Sequence, residues 1–470
     1  MTSSQWLVLA TLVGYQGALV AIGLLTNRLT RDSVDFFLGG RRLGGFVAAV
    51  SASASSSSAW TLLGVSGAAY AWGLSAIWLF PATLSGFLIN WWLIAPRLRR
   101  LSRERDAVTL TDLLANDVGG RRALPVARLA SGIILVSFGF YVAAQFQAAG
   151  AAFDVQFGID ARLAILIGAS IVVLYTLLGG FWAVSVTDAV QGMLMAATAV
   201  ALPVAGLVAV GGPGALWQAL ASDAGGGLLG GRGLPAAIGF VAGTMGIGLG
   251  YPGQPHVLNR FMALRDADAL RQGRRVAIAW AVVVYAGMLL TGWCARLLLS
   301  ADAAGGESAF YALTDSLFPP VVAGIMLAAV LSAIMSTADS QLLVAGSAVA
   351  HDLRTARDHR GSLAHARQVV LVLSAFALLL ALYAPQSIFA RVLFAWHAVG
   401  SAFGPLVVAL LLGLRVPMRV RFVAMLVGAT GTVLLHWLPG TPGDVAERLL
   451  PLALSALTVW FGRERAGRSA

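Results

Sequence analysis

Thirteen stretches of this chain are apolar and long enough to cross a bilayer as helices. They lie near 4–26, 44–72, 74–96, 124–154, 162–181, 184–211, 235–252, 275–299, 319–350, 368–385, 387–413, 419–438 and 446–462. A crossing helix needs roughly 20 apolar residues. Within hydrocarbon every backbone N–H and C=O must be satisfied by the protein itself, so only helices and closed barrels span it. Barrel strands would appear as short alternating segments, whereas these runs are continuous. The expected fold class is therefore an all-α polytopic membrane protein with about 13 transmembrane helices. Only 11 % of the 470 residues are charged, against roughly 25 % in a soluble domain. The first span has no basic segment before it and an apolar run too long for a signal peptide, so it is read as a helix.

Charge gives the orientation. All 32 basic residues are Arg. With the N-terminus outside, 27 of them fall on inside segments, around 28–42, 97–128, 260–275, 354–367, 415–421 and after 462. Only Arg162, Arg232, Arg296, Arg391 and Arg448 fall on or near the other side. Cytoplasmic loops carry the basic residues, which predicts a multi-pass protein of the cell inner membrane, N-terminus outside and C-terminus cytoplasmic. The net charge of +11 belongs to that lipid-facing arrangement, and with no soluble domain to hold a duplex no nucleic acid partner is expected. No obligate protein partner is apparent either.

Single-residue chemistry excludes several classes. One cysteine, Cys294, forms neither an internal disulfide nor a thiolate metal site. The histidines are scattered, and no His/Asp/Glu spacing suggests a metal or a converging catalytic set, so an enzyme is not expected. The short tail after Gly462 is expected to carry no signalling domain. A transporter-derived sensor and a membrane enzyme remain distant alternatives.

The spans divide into parts: 1–43, a first helix and cytoplasmic loop; 44–211, five helices; 212–234, an extracellular connector; 235–413, five more helices; and 414–470, two terminal helices and a tail. Five crossings is an odd number, so the second set runs opposite to the first. Each set opens with an interrupted span. Span two carries Ser51, Ser53 and the run Ser55, Ser56, Ser57, Ser58; span seven carries Gly239, Gly243, Gly246, Gly248 and Gly250, then Pro252. Paired breaks of this kind point to a transporter's central site, and unwinding is expected near 55–58 and 246–250. The plain alternative for the serines is close helix packing by small residues.

Span nine reads Leu331-Ser332-Ala333-Ile334-Met335-Ser336-Thr337-Ala338-Asp339-Ser340. Helical spacing gathers Ala333, Ser336, Thr337 and Ser340 on one side with Asp339 flanking. Hydroxyl and carbonyl oxygens are hard ligands suited to a small cation. An acid in a span is a functional hypothesis by default, although Asp339 near the inside end is alternatively just hydrated. Asp188, near the start of span six, is either a helix N-cap or part of an ion path. His397 beside Trp396 is read as a packing group in preference to a proton shuttle, and His256 as structural.

Several ordered motifs resemble the sodium:solute symporter family, and most closely its proline symporter branch. They are Asp35-Phe36-Phe37-Leu38-Gly39-Gly40-Arg41, Gly179-Gly180-Phe181-Trp182-Ala183-Val184-Ser185 with Thr187-Asp188, Gly250-Tyr251-Pro252-Gly253-Gln254-Pro255-His256 with Arg260-Phe261-Met262, and Met335-Ser336-Thr337 with Gln341-Leu342-Leu343. The resemblance implies a LeuT-type core of two inverted five-helix repeats with extra terminal helices, and cation-coupled symport of a small organic solute such as proline. It implies a Na⁺ site made of the carbonyls of Ala54, Ser57 and Ala333 and the hydroxyls of Ser336 and Thr337. Na⁺ is then the coupling ion, with no organic cofactor. For Asp188 the resemblance implies a part in sodium release or in a second sodium site. Asp339, an acid not expected from that branch, and Ser340 are read from their place in span nine as joining Asp188 in a second cation or proton site, with H⁺ coupling through Asp188 and Asp339 as the alternative. Solute contacts fall on Ser55, Ser56, Trp60, Tyr141, Ile247, Tyr251 and Pro255. Proline-type members carry an Asp where this chain has Ser56 and a Trp where it has Ile247.

Overall fold

The structure, a computed structural model, describes residues 2–27, 38–117, 119–178, 181–222, 227–299, 306–350, 362–384, 386–438 and 440–464. The motif residues Asp35, Phe36, Phe37, Gly179 and Gly180, and Arg28, Arg31, Arg354, Arg357, Arg360, Arg465 and Arg468, lie outside them. The described residues are helical nearly throughout.

The chain starts with α1 (Ser3–Asn27). The second span is α2 (Gly45–Ala59), a π-helical turn (Trp60–Val65) and α3 (Ser66–Trp72). The third is α4 (Leu79–Leu88), a second π-helical turn (Ile89–Ile94) and α5 (Ala95–Glu104). A short α6 (Leu110–Ala115) follows, set by a capping box in which Thr109 and Asp112 each take the other's backbone N–H. Then come α7 (Leu124–Phe157), α8 (Ala161–Leu178), α9 (Phe181–Val210) and α10 (Pro213–Ser222). The seventh span is α11 (Leu234–Leu249), a 3₁₀ turn (Tyr251–Gly253) and α12 (Pro255–Ala263). The remainder is α13 (Ala267–Leu298), α14 (Ala309–Leu317), α15 (Pro320–Ala350), α16 (Ser362–Tyr383), α17 (Ile388–Leu411), α18 (Met418–His436) and α19 (Val445–Gly462).

Among the described residues ten helical stretches are long and apolar enough to cross a membrane, with the second and third expected spans joined in Gly45–Glu104. Shorter apolar helices stand at the fifth and tenth expected spans, and the protein is a multi-pass helical membrane protein. Three details differ from expectation. The connector expected after α9 contains a helix, α10. The seventh span does not end at Pro252 but resumes as α12. Arg260 and Arg421, counted as inside-facing loop charges, are 0 % and 4 % exposed. The Arg421 guanidinium donates to the carbonyls of Val416, Leu114 and Asn116, tying α18 to the α6 region. Such buried, committed arginines report packing and not orientation.

Helices α15 and α17 are mostly buried, while α1, α18 and α19 stay outermost. Those outer helices expose Trp6, Val13, Leu434, Trp460 and Phe461, a surface that only a lipid environment tolerates. At the centre, α15 packs on α1, α2, α7, α9 and α16, and α13 packs on α2 and α9.

Candidate functional site

Two interruptions face each other in the interior. In α2, Ser58 has φ 22° and ψ −175°, so the helix steps out of register there. The freed donors are met by side chains: Ala59 N–H donates to Gln145 Oε1 at 3.1 Å and Trp60 N–H to Ser58 Oγ at 3.1 Å. Tyr141 O–H donates to the same Ser58 hydroxyl at 3.3 Å. In the seventh span the break runs from Gly250 to Gln254, which is extended at φ −84°, ψ 104°. Pro252 and Pro255 have no N–H to offer a helix. The carbonyls of Gly250 and Tyr251, which take the N–H groups of Gly253 and Gln254 in the turn, also accept from Gln254 Nε2 at 3.1 Å and Asn90 Nδ2 at 3.3 Å.

The expected position of this second break, 246–250, needs correction: α11 is regular through Leu249. A Cβ on Gly248 would lie 2.2 Å from the Ala82 carbonyl oxygen. The glycine there serves close packing of α11 on α4 and leaves the helix intact. The first break falls at Ser58, the last residue of its window.

An aromatic layer lies beside the breaks. Tyr251 shares a hydrogen bond with Tyr285 at 3.2 Å, and Tyr285 in turn meets Ser57 and Thr61 at 3.4 Å. Trp60 lies 6.3 Å from Tyr285 and 5.7 Å from Phe389, ring to ring, and Tyr251 meets Trp396 at 4.6 Å. Tyr251 is seated against Gly86, where a Cβ would stand 2.2 Å from its ring. Ile247 contributes its carbonyl to Trp396 Nε1 at 3.2 Å. Trp60, Tyr141, Ile247, Tyr251 and Pro255 are all buried. Ser56 turns its hydroxyl back to the Ser53 carbonyl at 3.0 Å. His256 packs edge-on against Phe138, Tyr141 and Trp396. His397 is buried, its Nε2 without a hydrogen-bond partner among the described residues.

A polar layer joins α2 to α15. Thr337 Oγ1 donates to the Ser55 carbonyl at 3.1 Å, and Ser336 Oγ to the Ala333 carbonyl at 3.3 Å. Ala54, Ser57, Ala333, Ser336 and Thr337 are each 0 % exposed. Next to them, Asp188 Oδ2 accepts from Ser51 Oγ at 2.8 Å, Ser55 Oγ at 3.2 Å and Ser340 Oγ at 3.4 Å. Arg260 completes the group. Its Nη2 meets Asp188 Oδ2 at 3.0 Å and Ser340 Oγ at 2.5 Å, and its Nε meets Ser51 Oγ at 3.1 Å. Asp188 is therefore not a helix cap: it lies two turns into α9, fully buried, and pairs with a fully buried guanidinium. Asp339 is likewise 0 % exposed, not hydrated at a helix end. Neither of its carboxylate oxygens has a hydrogen-bond partner among the described residues.

Tyr285 and Gln145 complete the site but were not singled out from the sequence, and Ser51 and Arg260 were named there, in the serine-rich span and in a motif, without a role in the site. A lone Arg within a short apolar helix and a lone Tyr mid-span were the available signals. No group of three or more His, Cys, Asp or Glu able to hold a metal occurs among the described residues.

Known proteins resemble this chain along almost its whole length. The family model described as the sodium:solute symporter family matches residues 36–428. The osmoregulated proline transporter OpuE of Bacillus subtilis (strain 168) is 36 % identical, covering 94 % of this chain and 93 % of that one. A sodium/proline symporter of Escherichia coli (strain K12) is 34 % identical, covering 90 % of this chain and 86 % of that one. Among solved structures, a Na⁺-coupled sialic acid symporter superposes with a TM-score of 0.79 at 18 % identity, covering 98 % and 99 % of the two chains. The fold is thus the LeuT-type one anticipated, and a family of transporters, not enzymes, accounts for it. The chain belongs to the sodium:solute symporter family.

Proposed function

We propose that the protein is a secondary active transporter that couples Na⁺ entry to uptake of a small organic solute, an amino acid such as proline. The observation that carries this reading is the meeting of two interrupted helices at one buried polar and aromatic cluster, with Thr337 on α15 bonded to the Ser55 carbonyl beside the first break. Unwound carbonyls next to hydroxyls are the arrangement by which transporters hold a coupling cation at mid-membrane. Carbonyls of Ala54, Ser57 and Ala333 with hydroxyls of Ser336 and Thr337 form a hard, neutral oxygen set that fits Na⁺. Trp60, Tyr141, Tyr251 and Pro255, with Ser55, Ser56 and Ile247, form the solute contacts. The halves 44–211 and 235–413 act as inverted repeats that rock about these breaks, with the N-terminus outside and the C-terminus in the cytoplasm.

The second cation position is Asp188 with Ser340, and Arg260 stands on it. A cation reaches that carboxylate only as the guanidinium leaves. A proton-coupled reading is favoured by one observation, the unpartnered buried carboxylate of Asp339. Such a group is costly in low dielectric unless a proton or a cation joins it.

A thermal-shift screen of the purified protein against proline and other small solutes, in Na⁺ or choline, tests the reading. A ligand stabilises the folded state by mass action, by about 2.7 kcal/mol at a hundredfold excess over Kd. Stabilisation by proline or a related amino acid that requires Na⁺ is expected. Equal shifts in choline would move the coupling role to protons.

A further inference from the structure

Two buried N–H donors beside the α2 break have no acceptor among the described residues. Gln145 on α7 is 0 % exposed, and its Oε1 is committed to the Ala59 N–H, which fixes the orientation of the carboxamide. Its Nε2 is left without a partner among the described residues. Trp60, the next residue along from Ala59, is 3 % exposed, and its indole Nε1 has no partner either. A buried donor left unmade is expensive, and each such group calls for an explanation. Tyr141 O–H and Trp60 N–H each donate to the Ser58 hydroxyl, and Tyr251 shares a hydrogen bond with Tyr285.

We propose that Gln145 Nε2 and Trp60 Nε1 are the donors for the carboxylate of a zwitterionic solute. This rests on the transport reading above and names the part of the solute recognised at that site. Two neutral N–H groups suit a carboxylate whose charge is balanced within the same molecule. A net anion would call for a basic side chain, and the basic group of this cluster, Arg260, is engaged with Asp188. Carboxylate-to-neutral-donor contacts also explain why a Gln stands at this point of an apolar helix. Its oxygen holds the broken α2 backbone in place while its nitrogen faces the solute.

The test is competition against radiolabelled L-proline on the full-length protein in nanodiscs with Na⁺, using L-proline and L-prolinamide, which lacks the carboxylate. Gln145→Glu keeps the acceptor for the Ala59 N–H and removes the amide donor. It is expected to weaken proline about tenfold or more while leaving prolinamide within about twofold. Trp60→Phe keeps the ring and removes the second donor, and should again weaken proline selectively. Na⁺-induced stabilisation of each variant, unchanged from wild type, shows that the fold and cation site are intact. Proline affinity unchanged in Gln145→Glu, or proline and prolinamide weakened equally, would overturn the proposal and leave the transport reading standing. No Na⁺-dependent binding of proline or any other zwitterionic amino acid to the wild type would remove both.

Discussion

Asp188 and Arg260 form a fully buried ion pair, and residues of this kind decide how the site behaves. Removing one partner of a buried pair leaves a bare charge and costs about 3–5 kcal/mol, whereas removing both is often nearly neutral. Arg260→Ala should therefore lower the unfolding temperature sharply, and Asp188→Asn in the same chain should recover most of the loss. Equal, additive losses in the two single variants and the double variant would mean that the pair is not coupled. The sequence made Asp188 visible as an acid in an apolar stretch. The pairing was not visible, because Arg260 is 72 positions away and stands in the sequence only as a motif residue and an inside charge. The four-serine run was legible for a physical reason: so many hydroxyls are costly in hydrocarbon unless they meet protein or an ion. Which serine breaks the helix was set by tertiary donors, Tyr141 and Gln145, that no local pattern announces.

Elements are held in register by caps reaching across the fold. Glu307, in the 3₁₀ turn Gly306–Ser308, accepts the N–H groups of Ile388 and Phe389 at 3.1 and 2.7 Å, capping the start of α17. Phe389 in turn packs on Trp60 and Trp72. Burial raises the Glu307 carboxyl above its ordinary value, while the two N–H donors pull it down. The folded state thus holds its proton more tightly than the unfolded chain. Stability is greatest below the ordinary glutamate range and is lost as pH rises through the raised value. The unfolding temperature of wild type minus that of Glu307→Gln is expected to fall across that window. A difference that grows with pH would contradict the assignment. Helix positions were readable from hydropathy alone, but the second break was not. Glycines at 246 and 248 look like unwinding signals, yet they pack closely against neighbouring helices. The prolines at 252 and 255 mark the real break, because they remove backbone donors.

At the scale of the whole molecule, thirteen apolar spans, short connectors and paired interruptions made the architecture legible. Continuous hydrocarbon-length runs leave few alternatives. The arginine count predicts an orientation from most of its members, although Arg260 and Arg421 belong to packing. The cation and solute residues were carried by resemblance, and the structure draws many of them into one buried layer around the two breaks. Their proposed roles rest on that convergence. In the proposed mechanism a Na⁺ gradient drives solute uptake through the oxygen set of α2 and α15. The most direct measurement is proline uptake into proteoliposomes under an inward Na⁺ gradient, compared with an inward H⁺ gradient without Na⁺, in wild type, Ser336→Ala and Thr337→Ala. The account predicts uptake that needs Na⁺, with half-activation shifted roughly 10- to 100-fold in each variant, the effect of losing one hydroxyl contact to a charge. Uptake that ignores Na⁺, follows the H⁺ gradient and is unchanged in both variants would contradict it.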